Sequence, residues 1–190
     1  MTATGDARHD NGAAAAKRLL LLRHAKSSWE DASLADHDRP LAPRGRRAGD
    51  LMAEHLRRSG AAPSLILCST SVRTRETLAL IAPAFDPVVP MVKFERGLYG
   101  ASAPALLVRL NALPDGVTSV MLIAHSSGIE DLTLLLARRG DGLDAVREKF
   151  PTGALATLEL AGRWRELGPR GARLVDFVTP RALADAASPR

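Results

Sequence analysis

The sequence predicts a three-layer α/β/α sandwich with a mainly parallel central sheet. Three observations carry that expectation. Short apolar runs alternate along the chain with amphipathic stretches. The first run, Leu19-Leu20-Leu21-Leu22, is apolar at four consecutive positions, as a strand covered on both faces must be. It then breaks at once into Arg23-His24-Ala25-Lys26, where such a strand gives way to a loop.

In chain order, the first strand is expected over 18–23. A helix follows at about 44–59, where Ala48, Leu51, Met52, His55 and Leu56 recur at i, i+3, i+4, i+7, i+8 spacing. Gly60 and Pro63 end it, and a second strand is expected over 64–68. The next helix, about 72–85, places Thr74, Leu78, Ile81, Ala82 and Phe85 on one face. Pro87 and Pro90 bracket the entry to a strand over 88–94. A helix over 102–113 has Leu106, Leu110 and Leu113 in phase, and Pro114-Asp115-Gly116 is a turn. The strand over 118–124 leads into a helix over 127–139 carrying Ile129, Leu132, Thr133 and Leu136. Two further strands are expected over 154–160 and 173–178. Residues 17–180 form one domain in this reading, with a disordered tail over 1–16 and a loosely held one over 181–190.

Composition narrows the partners. The chain has 190 residues, a formal charge of +5 and a single cysteine, Cys68, so no internal disulfide can form. A reducing cytoplasm fits this. The first residues are too polar for a signal peptide, and no apolar run is long enough to span a membrane. The basic balance admits nucleic acid, an anionic membrane or a phosphorylated substrate. Aromatics make up 4% of the chain and the basic residues are scattered, so no stacking platform for nucleic acid emerges. A local anion site remains. No His, Cys and Asp grouping has metal-ligand spacing, and neither metal nor cofactor is assigned.

The chemistry concentrates at three strand ends, where open α/β sheets bind ligands. The first delivers Arg23 and His24. The second, Leu65-Ile66-Leu67-Cys68, leads through Ser69-Thr70-Ser71 to Arg73 in the first turn of a helix, where free N–H groups favour anions. The strand over 118–124 ends at His125-Ser126-Ser127-Gly128, which repeats the first layout. Two histidines and two arginines so placed suggest phosphoryl transfer through a phosphohistidine. His24 would attack phosphorus, Arg23 and Arg73 would neutralise the equatorial oxygens, and His125 would add a third contact. The guanidinium groups supply the positive field that a metal ion otherwise would. By contrast, His55 shares the apolar face of its helix and reads as packing. Cys68 ends an apolar run and reads as buried, Arg75 reads as a solvated neighbour, and His37 as a loop residue.

The motifs Leu-Leu-Arg23-His24-Ala25, Ser69-x-x-x-Arg73-Thr74-x-x-Thr77 and Ile123-Ala124-His125 resemble the histidine phosphatase superfamily, which is phosphoglycerate-mutase-like. Asp36-x-Asp38-Arg39-Pro40-Leu41-x-x-Arg44-Gly45 and Lys149-Phe150-Pro151-Thr152-Gly153-Ala154 are similar to its small SixA branch of phosphohistidine phosphatases. Ala25 stands where the family commonly has Gly, and Ser126-Ser127 where it often has Asn-Pro.

The resemblance implies a phosphoglycerate-mutase-like fold and a phosphorylated nucleophile at His24. It implies a phosphate pocket of Arg23, Arg73 and His125, joined by Arg39. The proton donor would be Glu95, just after the strand over 88–94, or its rival Asp36 in the loop after the nucleophile. The short connection 96–101 leaves no room for a lid, so the pocket should be open and suit a phosphorylated protein, such as a phosphotransfer domain. A phosphatase of small phosphoesters and a non-catalytic phosphate-binding module are the alternatives.

Overall fold

The run of four leucines lies in β1, Lys17–Arg23, at the centre of a six-stranded sheet. This computed structural model describes residues 16–187; the tail expected over 1–16 lies outside the described residues except for Ala16, as do residues 188–190. Helix α1, Pro43–Ser59, leads to β2, Leu65–Ser69, and α2, Val72–Ile81, leads to β3, Met91–Glu95. Helix α3, Ala103–Asn111, precedes β4, Ser119–Ala124, which is followed by α4, Gly128–Leu136. A short α5, Leu143–Glu148, precedes β5, Leu155–Leu160, and β6, Arg173–Val178. The chain then enters α6, Pro180–Ala187.

The sheet order is β3-β2-β4-β1-β5-β6. Its β3, β2, β4 and β1 run parallel, and β5 and β6 complete it in antiparallel pairing. Both faces are covered, which explains the unbroken apolar run. Leu19 and Leu21 point into one cluster with Leu106 and Leu110 of α3, Ile129 and Leu132 of α4, and the buried Trp164. Leu20 and Leu22 point into the other, with Met52 and Leu56 of α1 and Leu78 and Ile81 of α2. All four leucines are at most 1% exposed. Truncating any of them to alanine is expected to cost about 2–5 kcal/mol.

Besides the short α5, which the sequence reading did not expect, three details depart from it. Strand β3 begins at Met91 rather than 88: Pro90 has no N–H to donate to the ladder, and Val88 and Val89 stay 66% and 78% exposed. The helix expected over 72–85 stops as an α-helix at Ile81 and tightens into a 3-10 turn over Ala82–Phe85, which contains Pro83. The segment expected to be loosely held after 180 forms α6, and Leu183 packs into the α1/α2 cluster.

Candidate phosphoryl-transfer site

Strand register brings the two histidines together. In the parallel β1/β4 pair Arg23 lies opposite Ala124, so His24 and His125 leave adjoining strand ends side by side. Their ring centroids are 5.1 Å apart. On the other side of β4, Cys68 of β2 pairs with Ile123, which sets Ser69 beside the same place. His125 Nε2 lies 2.9 Å from Ser69 Oγ. Arg73, in the first turn of α2, donates from Nη2 to His125 Nδ1 at 3.3 Å. With Nδ1 accepting, Nε2 of His125 carries the proton and donates to the serine.

His24 is held in the complementary tautomer. Its Nδ1 is 2.7 Å from the carbonyl oxygen of Ala25, which can only accept, so Nδ1 carries the proton and Nε2 keeps the lone pair. The loop that presents it is tied down from two sides. Ala25 N donates to Thr77 Oγ1 at 3.0 Å, and Thr77 Oγ1 donates to Arg73 O at 2.6 Å. Gly153 N approaches the carbonyls of both Arg23 and His24, at 3.1 and 3.0 Å. Gly153 has φ of +79°, a region where a Cβ is strained, and an added Cβ would meet Pro180 Cγ at 2.9 Å. These contacts give physical content to Thr77 and Gly153 in the motifs. Ala25 is fully buried and is not among the positive-φ residues, so alanine sits there without backbone strain.

Burial sets the protonation states. His24, Arg73 and His125 are each under 10% exposed. Desolvation, opposed by the Ala25 carbonyl and reinforced by the Arg73 and Arg23 charges, pushes His24 down to about 4. Desolvation, then the neighbouring His24 and Arg73, pushes His125 down to about 3. Both imidazoles are neutral at pH 7.

The charges of Arg73 and Arg23 reach His24, and that of Arg39 reaches Asp36. Arg73 also donates from Nη2 to Asp36 Oδ2 at 2.8 Å, and from Nη1 to the Asp36 carbonyl. Arg23 donates from Nη1 to Phe150 O at 2.6 Å, while its buried Nε has no partner among the described residues. Arg39 stacks on Trp29, with Cζ 3.6 Å from the ring centroid, and its buried Nε and Nη1 have no partner among the described residues either. Buried guanidinium N–H groups without an acceptor are costly, and an oxyanion that reached them would satisfy them.

The two candidate acids separate. Asp36 lies in the site: its carboxylate accepts from Arg73 and, at 2.6 Å, from Tyr99 Oη. The tyrosine hydroxyl and Arg73 hold that carboxyl below the usual range, although its side chain is 55% exposed. Glu95, at the end of edge strand β3, is gripped by the Arg109 fork from α3 at 2.7 and 2.8 Å.

A model of the histidine phosphatase superfamily (branch 1) matches residues 19–98. SixA from Nakamurella multipartitia superposes with a TM-score of 0.75 at 30% identity, covering 87% of this chain and 96% of that one. SixA from Agrobacterium tumefaciens gives 0.71 at 30% identity, over 86% and 98% of the two chains. This chain belongs to the histidine phosphatase superfamily. An uncharacterized protein of Mycobacterium tuberculosis is 39% identical over 168 residues, 84% of this chain and 100% of its own length. An uncharacterized chloroplastic protein of Arabidopsis thaliana is 34% identical over 178 residues, 86% of this chain and 78% of its own.

Within this histidine phosphatase fold the residues that sequence reasoning did not single out are Tyr99, Trp29, His37 and the Ser69 hydroxyl. Tyr99 meets the His125 ring edge-on at 5.2 Å and the His37 ring at 4.9 Å. His37 Nε2 in turn lies 3.1 Å from Thr70 Oγ1. One signal pointed to Tyr99: it is the single tyrosine of the chain and stands in the short connection at the carboxyl end of β3. Cys68 is fully buried, and desolvation pushes its thiol up to about 12, in keeping with a packing role.

Proposed function

We propose that this chain is a phosphatase working through a phosphoenzyme on His24, without a metal ion, and that its substrate is phosphohistidine in a protein. In the first step the Nε2 lone pair attacks phosphorus. The bond from phosphorus to the leaving group breaks as the Nε2–P bond forms. Arg23, Arg39 and Arg73 donate to the nonbridging oxygens, and His125 adds a contact on the same group. In the second step water attacks phospho-His24, the N–P bond breaks, and phosphate leaves with the oxygen of that water. Asp36 takes the proton of the attacking water. The net reaction is hydrolysis of one phosphoryl bond.

The choice of substrate rests on one observation: neither carboxyl is free to serve as a general acid. Asp36 is held in its ionised form by Tyr99 and Arg73, and Glu95 is engaged by Arg109. An alcohol leaving group needs a proton from such an acid. An imidazole leaving group does not, because its second ring nitrogen accepts a proton from solvent. The exposed Asp36 side chain at the rim and the single 3-10 turn, Arg96–Leu98, between β3 and α3 leave room for a macromolecular substrate. The SixA proteins at 30% identity, provisionally named phosphohistidine phosphatases, fit the same reading.

The test compares release of phosphate from a phosphohistidine peptide and from p-nitrophenyl phosphate, alongside acid-labile labelling of the protein. The reading expects labelling that disappears in His24→Ala and faster turnover of the peptide. Labelling that persists in His24→Ala, or turnover of the ester alone, contradicts it.

A further inference from the structure

Next to the strand end that carries His24 lies a second basic feature, which shares only Arg23 with the phosphoryl chemistry. A cleft of about 410 Å³ opens between the start of α1 and the segment 149–152, lined by Arg23, Lys26, Arg44 and Lys149 together with Ala48, Pro151 and Thr152. No acidic side chain lines it. Among the described residues, the side chains of Lys26, Arg44 and Lys149 have no ion-pair or hydrogen-bond partner. Arg23, which does face this cleft, spends one N–H on the Phe150 carbonyl and leaves its buried Nε unpaired.

The helix that floors the cleft adds to the imbalance. The first turn of α1 reads Pro43-Arg44-Gly45-Arg46-Arg47, contains no acidic residue and has no side-chain cap. Cations at a helix N-terminus oppose the dipole. Glu76 engages Arg46, but Arg44 has no such partner. Four cationic side chains and an uncapped helix start thus converge on one concavity that is unfavourable by itself and is relieved when an anion enters.

We propose that this cleft receives the acidic side chains flanking the phosphorylated histidine of a protein substrate. The proposal rests on the phosphatase reading above and specifies which phosphoproteins the site prefers. Arg23 faces the cleft and precedes His24 directly, so a segment whose phosphoryl group sits at His24 runs past the cleft within a few residues. Carboxylates on that segment meet Lys26, Arg44 and Lys149 in the partly exposed setting where charge pairs set specificity.

The experiment uses the full chain and two phosphohistidine peptides that differ only at neighbouring positions, one with Glu and one with Gln. The wild type is expected to show kcat/KM about fivefold to tenfold higher for the Glu peptide, the sum of two or three rim charge pairs. The triple variant Lys26→Gln/Arg44→Gln/Lys149→Gln is expected to bring that ratio to about one, and Lys149→Arg alone to keep it. A thermal melt of each variant checks folding, and the ratio is internal to each protein. Equal rates on both peptides in the wild type overturn the proposal alone, as does a ratio that survives the triple substitution. Failure to turn over either peptide while p-nitrophenyl phosphate is hydrolysed overturns the phosphohistidine reading, and this proposal with it. Preference for a small bisphosphate over a monophosphate, without any peptide preference, assigns the cleft to a metabolite instead and overturns the proposal.

Discussion

Nδ1 of His24 lies 2.7 Å from the carbonyl oxygen of Ala25, its own neighbour in the chain. That contact fixes which ring nitrogen carries the proton and leaves the lone pair on Nε2, while burial pushes the imidazole down to about 4. The acid limb of kcat/KM should therefore fall near pH 4 rather than near the ordinary histidine value of about 6.5. A pH–rate profile checks this; a limb near 6.5 contradicts the buried neutral imidazole.

Stability carries the same signature. His24 and His125 stay neutral in the folded chain at pH values where the unfolded chain protonates them, since their folded values are about 4 and about 3. Acidification from about 6.5 towards 4 then favours the unfolded state, by up to about 1.4 kcal/mol per pH unit for each histidine. Denaturant titrations over that range should show the loss, and a His24→Asn/His125→Asn variant should show a shallower one.

Asp36 and the phosphate oxygens compete for one donor, Nη2 of Arg73, now 2.8 Å from Asp36 Oδ2. Asp36→Asn should therefore bind inorganic phosphate about threefold to tenfold more tightly while slowing turnover, the first from lost competition and the second from a lost base. Product-inhibition constants and kcat separate the two effects. Glu95→Gln should barely change turnover but should cost about 1–2 kcal/mol of stability, because it breaks the Arg109 fork. A hundredfold loss of kcat in Glu95→Gln would instead make Glu95 the proton donor.

Trp29 holds Arg39 by stacking against it while remaining 65% exposed itself. Trp29→Ala should raise KM about threefold with little change in Tm, in line with an exposed cation–π contact of about 0.5–1 kcal/mol. Arg39→Ala should cost more, about 1.5–3 kcal/mol in kcat/KM, since it deletes charge-assisted bonds to the phosphoryl group. Equal effects of the two substitutions would assign Trp29 a direct role with substrate.

Gly45 lies where α1 packs on the loop after the nucleophile, and an added Cβ would stand 2.1 Å from the Lys26 carbonyl oxygen. Gly45→Ala should displace that loop, lowering both Tm and kcat. A variant with wild-type activity would show that the loop gives way without moving His24.

The fold was legible where burial is two-sided. Strands β1, β2 and β4 are covered on both faces, so their apolar runs mark their extents within a residue or so. Strand β3 is an exposed edge, and there the apolar Val88 and Val89 misled because Pro90 governs where pairing starts. Helices α5 and α6 each bury one side chain, Val146 and Leu183, and one residue makes no period. That His24 and His125 lie side by side was legible in their strand-end positions, since strand order turns sequence layout into proximity. Tyr99 and Asp36 are 63 positions apart and meet only through the fold, and no local pattern encodes that. The acids differ for a like reason: Glu95 is adjacent in register to Ser69, but the Arg109 fork decides where its carboxylate points.

The central claim is that His24, Arg23, Arg73, Arg39 and His125 surround one tetrahedral anion. The direct measurement is a crystal structure of the protein soaked in vanadate. The account predicts vanadium within bonding distance of His24 Nε2, with its oxygens accepting from the three arginines and from the His125 Nε2–H, which gives up Ser69 to reach them. Vanadate bound away from His24, or bound there without Arg73 and His125, would contradict it.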